Sequence, residues 1–166
     1  TGYGYAWSGS ISLRNHLKLG YSYSRIDKVF SRVGGAGTGV ETRNRNIDAA
    51  WSSISWMPVG VSWNRSEQLS DPNDLTVPFF EKGRYVDNVW NFNSGLKFSS
   101  WTGLFGKFSK NVPDFTGSYR ISTSSNFQPL NFEKEYRLFH RIQSEGFLLS
   151  GSWTVPTPTN WKLSLK

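Results

Sequence analysis

Large apolar and small polar residues alternate along the first stretch of the chain. One parity carries Gly, Ala and Ser, whereas the other carries Tyr3, Tyr5, Trp7, Ile11 and Leu13. A period of two predicts a β-strand with one apolar face, since a helix would place its apolar residues three and four positions apart.

A second strand follows a short polar turn. The alternation resumes at Leu17 and continues to Tyr23 after three residues only, Arg14 to His16. A loop of this length places Leu13 opposite Leu17, and the apolar sets of both strands then lie on the same side of a β-hairpin.

Three further hairpins are predicted from the same pattern. Their turns lie at residues 57–58, 99–100 and 156–160. In the second hairpin Trp56 is expected to pair with Val59, and in the third the chain is expected to return through Trp101 and Phe105. The sequence therefore predicts an all-β, antiparallel chain with eight strands, the last cut short.

The connections between these strands alternate in length. Turns within the hairpins take about two to five residues, whereas long polar stretches separate the hairpins at residues 26–42, 67–84 and 111–131. Short turns on one rim and long loops on the other are typical of transmembrane β-barrels. We expect residues 1–166 to form one such unit and, because the chain begins and ends within strands, to be a segment of a larger barrel.

Strand parity assigns residues to the two faces of the predicted barrel. The positions expected to face lipid are Tyr5, Trp7, Ile11, Leu13, Leu17, Leu19, Tyr21, Val61, Trp90, Phe92, Leu96, Phe147 and Leu149. The positions expected to face the lumen are Ser8, Ser10, Ser12, Lys18 and Ser22. Above Phe147, the outward positions of its strand become Glu145, Gln143 and Arg141, so this strand is expected to rise beyond the bilayer.

Aromatic residues concentrate at the predicted strand ends. Those beside the short turns, which we assign to an aromatic belt at the periplasmic interface, are Trp56, Phe98, Trp101, Trp153 and Trp161. A second group, from Tyr3 to Trp7 and at Tyr21 and Tyr23, lies about ten residues away along the strands, at the height of the opposite interface.

Composition narrows the classes of protein. Aromatic residues make up 16% of the chain, with 8 Trp, and such a share indicates a large apolar surface to be covered. The mean hydropathy is -0.48, and no apolar run reaches the roughly 20 residues of a membrane helix, which excludes a helical membrane protein. The net charge of +7 is spread along the chain, so we expect no nucleic-acid partner. A soluble, Trp-rich, glycan-binding β-sandwich is the alternative.

No motif for catalysis, cofactor binding or metal binding is apparent. His16 lies in a predicted turn and His140 on a strand, and nothing resembles a nucleophile elbow. The acidic loop at residues 71–74 lacks the remaining ligands of an EF-hand, and no helical pattern follows the glycine run at residues 34–39. There are no cysteines. We therefore expect no enzyme, no cofactor and no metal site.

The hairpins, aromatic belts and polar loops resemble bacterial outer-membrane β-barrels over the whole chain. In addition, the stretch from Met57 through Trp63 and Arg65 to Asp74 is similar to strand-and-loop segments of the very large barrels of the type 9 secretion translocon. The resemblance implies a location in the bacterial outer membrane, with lipid, lipopolysaccharide and further barrel strands or secretion and plug subunits as partners.

Two functional classes follow from this resemblance. The first is a passage across the outer membrane, either a protein translocon or a porin-like channel. The second is a structural or assembly barrel, such as a lipopolysaccharide-inserting barrel or a sheath around a cytochrome. An open or plug-gated lumen would favour the first class, and a tightly filled lumen the second.

Overall fold

A computed structural model of the chain describes residues 3–14, 16–27, 40–70, 83–101, 103, 112–129, 136–154 and 162–165. These residues form a single antiparallel sheet with seven long strands and a short eighth. The strands are β1 (Gly4–Leu13), β2 (Leu17–Ile26), β3 (Val40–Trp51), β4 (Val59–Ser70), β5 (Arg84–Leu96), β6 (Asp114–Pro129), β7 (Tyr136–Thr154) and β8 (Lys162–Leu165). The prediction of an all-β, antiparallel chain is confirmed.

The sheet is a meander in which every strand pairs with its neighbours in the sequence. The order is β1-β2-β3-β4-β5-β6-β7-β8, and β1 does not pair with β8, so the sheet is open and is not closed into a barrel. Within the described ranges there is no second sheet stacked on the first.

The first hairpin has the predicted register. Leu13 pairs with Leu17 and Ile11 with Leu19. The turn between them is closed by a hydrogen bond from the His16 amide to the Leu13 carbonyl at 3.1 Å, and Arg14 takes a positive φ of 48°. The predicted pairing across this turn, with the apolar residues of both strands on one face, is therefore confirmed.

The predicted pairing of Trp56 with Val59 is wrong. Strand β3 ends at Trp51, which pairs with Val59, and Trp56 lies in the turn. The main chain of that turn is held by the neighbouring strand, because the Lys97 amide donates to the Trp56 carbonyl at 2.7 Å. Trp51 continues the alternation of β3, and the two serines after it interrupt the pattern.

The predicted third hairpin is also wrong in its return strand. After β5 the chain forms a 3₁₀ turn at Phe98–Ser100, and Trp101 is not in a strand. The strand that pairs with β5 is β6, which occupies most of the stretch predicted to be a long loop. The half of β6 from Ser122 onward is rich in Ser and Thr on both faces. It therefore carries no apolar–polar alternation that would distinguish a strand from a loop in the sequence.

This change alters the predicted alternation of short and long connections. Residues 97–113 join β5 to β6 on the rim that carries the turns of the first two hairpins, and only residues 130–135 join β6 to β7 on the opposite rim. The alternation holds for the connections from β1 to β5 and fails beyond them.

Strand β7 contains a bulge near its start. Asn126 pairs with His140 but the next residue, Phe127, pairs with Leu138, which leaves Phe139 as an extra residue. A bulge of this kind bends the strand locally. Because two-residue alternation is interrupted there, face assignments on β7 are counted from His140 onward.

Several predictions fall outside the described residues. They concern the glycine run at residues 34–39, the acidic loop at residues 71–74, Phe105 and the belt residue Trp161.

The described sheet has almost no hydrophobic core. Among the described residues Val86 is the one buried hydrophobic side chain, at 5% exposure. A soluble chain of this size normally buries well over half of its surface around a continuous core. Here most of the large apolar side chains are exposed on one face of the sheet.

Candidate functional site

Strand register places the predicted lipid-facing residues on one face of the sheet. Leu19 pairs with Ile11 on one side and with Ala49 on the other, and the same row continues through Val61 and Phe92. Directly paired residues of antiparallel strands project to the same side. All thirteen predicted positions, from Tyr5 to Leu149, therefore share this face.

We call the apolar part of this face the apolar band. It comprises Tyr5, Trp7, Ile11, Leu13, Leu17, Leu19, Tyr21, Tyr23, Ile47, Ala49, Trp51, Val59, Val61, Trp63, Trp90, Phe92, Leu96, Phe115, Tyr119, Ile121, Phe147, Leu149 and Trp153. Its extent along a strand runs from Trp90 to Leu96 on β5 and from Tyr5 to Leu13 on β1, or about 20 to 27 Å at the usual rise per residue.

The band is solvent-exposed in the isolated sheet. Ile11 is 61% exposed, Trp7 55% and Phe147 70%. Contiguous apolar surface on this scale marks a site that is covered by a partner or by lipid.

Aromatic rings gather at the two edges of the band, and Phe92 and Tyr119 form a further ring pair between these edges, 6.4 Å apart. At the edge towards the long β2–β3 connection, the Trp7 ring lies 4.7 Å from Tyr21 and 6.0 Å from Tyr23, and Trp63 lies 6.0 Å from Trp90. These distances are those of interacting aromatic pairs.

The opposite edge carries a second aromatic group, the rim cluster of Trp56, Phe98, Trp101 and Phe115. The Trp56 and Trp101 rings stack at 4.1 Å with 5° between their planes, and Phe98 lies 6.2 Å from Trp101. Phe98 also meets Phe115 edge-on at 6.3 Å. Three of the predicted belt residues thus lie together at this rim, and Trp153, at the end of β7, belongs to the apolar band.

The upper edge of the band, which is the edge towards the β2–β3 connection, crosses the sheet on a diagonal. Tyr5 is the uppermost apolar residue of strand β1. The row of directly paired residues that starts at Tyr5 and crosses the sheet ends at Arg141 on β7. The uppermost band residue of β7 is Phe147, six residues lower. At about 3.4 Å per residue and 4.8 Å between strands, six residues over six strand intervals correspond to a slope of about 35°.

The other side of the sheet, which we call the polar face, carries mainly short polar side chains. Ser8 pairs with Ser22 and Ser12 with Lys18, so the five predicted lumen-facing residues share this face. Cross-strand hydrogen bonds connect it further along the sheet, from Asn91 to Ser62 at 3.2 Å and between Thr116 and Ser150 at 2.6 Å.

The polar face also shows a close approach at Gly20. A Cβ atom at this position would overlap the carboxylate of Asp48, which lies across the strand beside it. Only glycine leaves this space, so Gly20 allows the Asp48 side chain to lie flat on the polar face.

Depressions lie on the polar face between its short side chains. One depression of about 410 Å³ is lined by Asn93, Thr116 and Ser150, and another of about 360 Å³ by Ser22 and Asn44, together with neighbouring residues.

Charged residues lie directly above the band on three adjacent strands. The first outward positions after Tyr23 on β2, Ile47 on β3 and Trp63 on β4 are Arg25, Arg45 and Arg65. We call these three residues the arginine tier.

The carboxylates near the arginine tier lie either beside its arginines or one row of paired residues further along the strands. The Arg25 Nε atom lies 2.8 Å from Glu41 Oε1, and Glu41 also accepts a hydrogen bond from Arg43 Nε at 2.5 Å. Glu67 accepts from Arg84 Nε at 2.5 Å and lies 3.8 Å from Arg65. The Arg45 guanidinium lies over the Tyr23 ring, 5.8 Å from its centre.

The tier was not predicted from the sequence. Its members are twenty residues apart in the chain, and only the strand register brings them side by side. The alternation along each strand could have predicted them, because each arginine occupies the next outward position after the apolar residues of its strand.

The two histidines considered for catalysis are not brought together. His16 lies in the β1–β2 turn, and His140 lies on β7 opposite Asn126. In the described ranges no three His, Cys, Asp or Glu side chains are grouped to hold a metal ion. No helix among these residues is long and apolar enough to cross a membrane.

The chain matches no protein-family profile, no curated protein and no solved structure.

Proposed function

We propose that this chain forms part of the wall of a transmembrane β-barrel in a bacterial outer membrane, with the apolar band in contact with lipid. The observation that carries the proposal is the combination of a broad, exposed apolar face, a polar face of mainly short side chains, and almost no core among the described residues. In water-soluble sheets the apolar face is the covered one. An exposed apolar face is stabilised when an external apolar phase covers it.

The geometry of the band supports the same proposal. A barrel strand is tilted by about 35 to 45° from the membrane normal, so a band parallel to the membrane crosses the hydrogen-bonded rows at that angle. The slope of about 35° derived from the register agrees with this tilt. The concentration of Trp and Tyr towards both edges is typical of interfacial aromatic belts.

We further propose that the barrel provides a passage, with the polar face lining its lumen. At this tilt each strand contributes about 6 Å of circumference, so eight strands account for about 47 Å. Because β1 and β8 do not pair, the complete wall includes further strands, and its diameter exceeds about 15 Å. Short Ser and Asn side chains leave most of that width open. The resemblance to type 9 translocon barrels suggests protein as the cargo.

A structural or assembly barrel with a filled lumen is the second candidate. Ile142 and Leu148 lie on the polar face of β7, and each is 56% exposed. Apolar residues on a lumen wall favour contact with a packed occupant over contact with water alone.

Spin labels on opposite faces test the membrane assignment. The chain contains no cysteine, so Leu19→Cys and Ser22→Cys each place one label in it. In the full-length protein in bilayers, we expect the label at residue 19 to be relaxed by lipid-soluble oxygen and the label at residue 22 by a water-soluble nickel chelate. Nickel access at both positions, or the reverse pattern, would refute the proposal.

Conductance in planar bilayers separates the two candidates. A passage predicts ion flow through the purified protein, or flow after removal of a plug subunit. Ser62→Asp, which adds a negative charge to the polar face, should then shift the selectivity towards cations, whereas a barrel filled by its occupant should remain closed in both forms.

A further inference from the structure

The arginine tier has an environment that suits an anionic ligand outside the sheet. It lies on the same face as the apolar band, and each member is about 7 Å along its strand from the last band residue. If the proposed function is correct, this is the depth of lipid headgroups at the end of the barrel that carries the β2–β3 and β4–β5 connections.

The exposure of the charges favours anions. The side chains of Arg25 and Arg65 are 34% and 31% exposed, whereas those of Glu41 and Glu67 are only 15% and 8% exposed. The carboxylates are therefore largely covered, whereas about a third of each arginine side chain is exposed, so the surface presents more positive than negative charge.

The charge balance leads to the same conclusion. Five arginines, at positions 25, 43, 45, 65 and 84, face three carboxylates, at positions 27, 41 and 67, which leaves two positive charges in excess. No ion pair joins Arg45 to a carboxylate of the described residues, and its guanidinium group lies over the Tyr23 ring. Arg45 thus keeps its donor groups for a partner.

We propose that the arginine tier binds the phosphate groups of a lipid A headgroup in the outer leaflet. Guanidinium groups bind phosphate through paired, charge-assisted hydrogen bonds. Three adjacent strands span about 10 Å, so the tier can contact two phosphates of one headgroup at once. A lipid with a single phosphate uses only part of this width. This inference rests on the proposed function, which supplies the bilayer.

The experiment measures binding of lipid A to the full-length protein. The protein is reconstituted into phosphatidylcholine nanodiscs and titrated with lipid A. The double variant Arg45→Gln with Arg65→Gln is compared with Arg120→Gln, which removes a cation from the polar face. An arginine near an anionic membrane surface accounts for about a fivefold change in affinity, so we expect about thirtyfold weaker binding in the double variant and little change in the control.

Two further arms identify the ligand. Phosphatidylglycerol and inorganic phosphate replace lipid A in otherwise identical titrations, and the proposal requires both to bind the wild type more weakly than lipid A. Equal binding of phosphatidylglycerol would replace the lipid A site by a general anionic-lipid surface, and strong binding of inorganic phosphate would indicate a site independent of lipid; either result overturns the proposal.

The spin-label measurement at residues 19 and 22 separates failure of this inference from failure of the proposed function. If the label at residue 19 is exposed to lipid but the double variant binds lipid A as the wild type does, the tier has no role in lipid recognition. If the label is exposed to water, the membrane assignment itself fails. Resistance of each variant to denaturation in gels, compared with the wild type, verifies that the barrel is intact.

Discussion

An arginine placed in the apolar band should destabilise the protein far more than one placed on the polar face. Leu19 is the second of four band residues on β2 and is surrounded by Ile11, Leu17 and Ala49 on the same face. If the band contacts lipid as proposed, Leu19→Arg places a charge in hydrocarbon without a partner. The cost of an arginine near the midplane of a barrel is about 2 to 4 kcal/mol.

Ser10→Arg is the matched control. Ser10 pairs with Gly20 at nearly the same depth, but on the polar face, where the Asp48 carboxylate lies beside Gly20. The new charge remains in contact with water and gains an acidic neighbour, so its effect should stay within about 1 kcal/mol. The native Lys18 already places a positive charge on this face.

The assay is reversible unfolding of the full-length protein from bilayers by guanidinium chloride, followed by tryptophan fluorescence. The expected difference between the two variants is at least about 2 kcal/mol, with Leu19→Arg the less stable. Equal stabilities, or a larger loss in Ser10→Arg, would show that the faces are reversed or that the band does not contact lipid.

Three further outcomes are expected. On intact cells, an impermeant thiol reagent should label Asp27→Cys, on the rim of the long β2–β3 connection, but not His16→Cys, in the β1–β2 turn; equal labelling would contradict the orientation. Trp56→Ala should lower the free energy of unfolding by about 0.5 to 1.5 kcal/mol beyond the effect of lost area, because it removes the stacked pair of the rim cluster, and Trp56→Phe should lose less. Gly20→Ala should destabilise the protein and the added change Asp48→Ala should restore most of the loss, because the two side chains compete for one space; additive losses in the double variant would refute this account.

Much of the sheet could be predicted because apolar and polar residues alternate regularly in the half of the sheet that carries the β1–β2 turn. The register of the first hairpin follows from Leu13 and Leu17 alone, since a three-residue turn fixes the pairing. The same parity placed Trp90 and Phe147 on the face of Leu19, although these residues are far apart in the sequence.

The missed elements lie where alternation carries no information. Strand β6 is interrupted by Gly117 on the apolar face, and its residues from Ser122 to Ser125 are polar on both faces. Trp101 has strand-like spacing from Phe105 but lies at the rim, where stacking on Trp56 places it. The arginine tier depends on pairing between strands, and no local pattern reports such pairing.

The meander order has a consequence for assembly. Each strand finds its partner immediately before it in the chain, so pairing can advance as a zipper, one hairpin after another, without a strand having to thread past those already placed. Connections of this kind keep the contact order low for a β-protein of this size, and they favour fast closure of each new pair. If the apolar band contacts lipid as proposed, the growing sheet, which has almost no core to drive collapse in water, gains its stabilisation as each hairpin reaches the lipid. Formation of the sheet and its insertion are then a single process, with the free side of the newest strand as the template for the next.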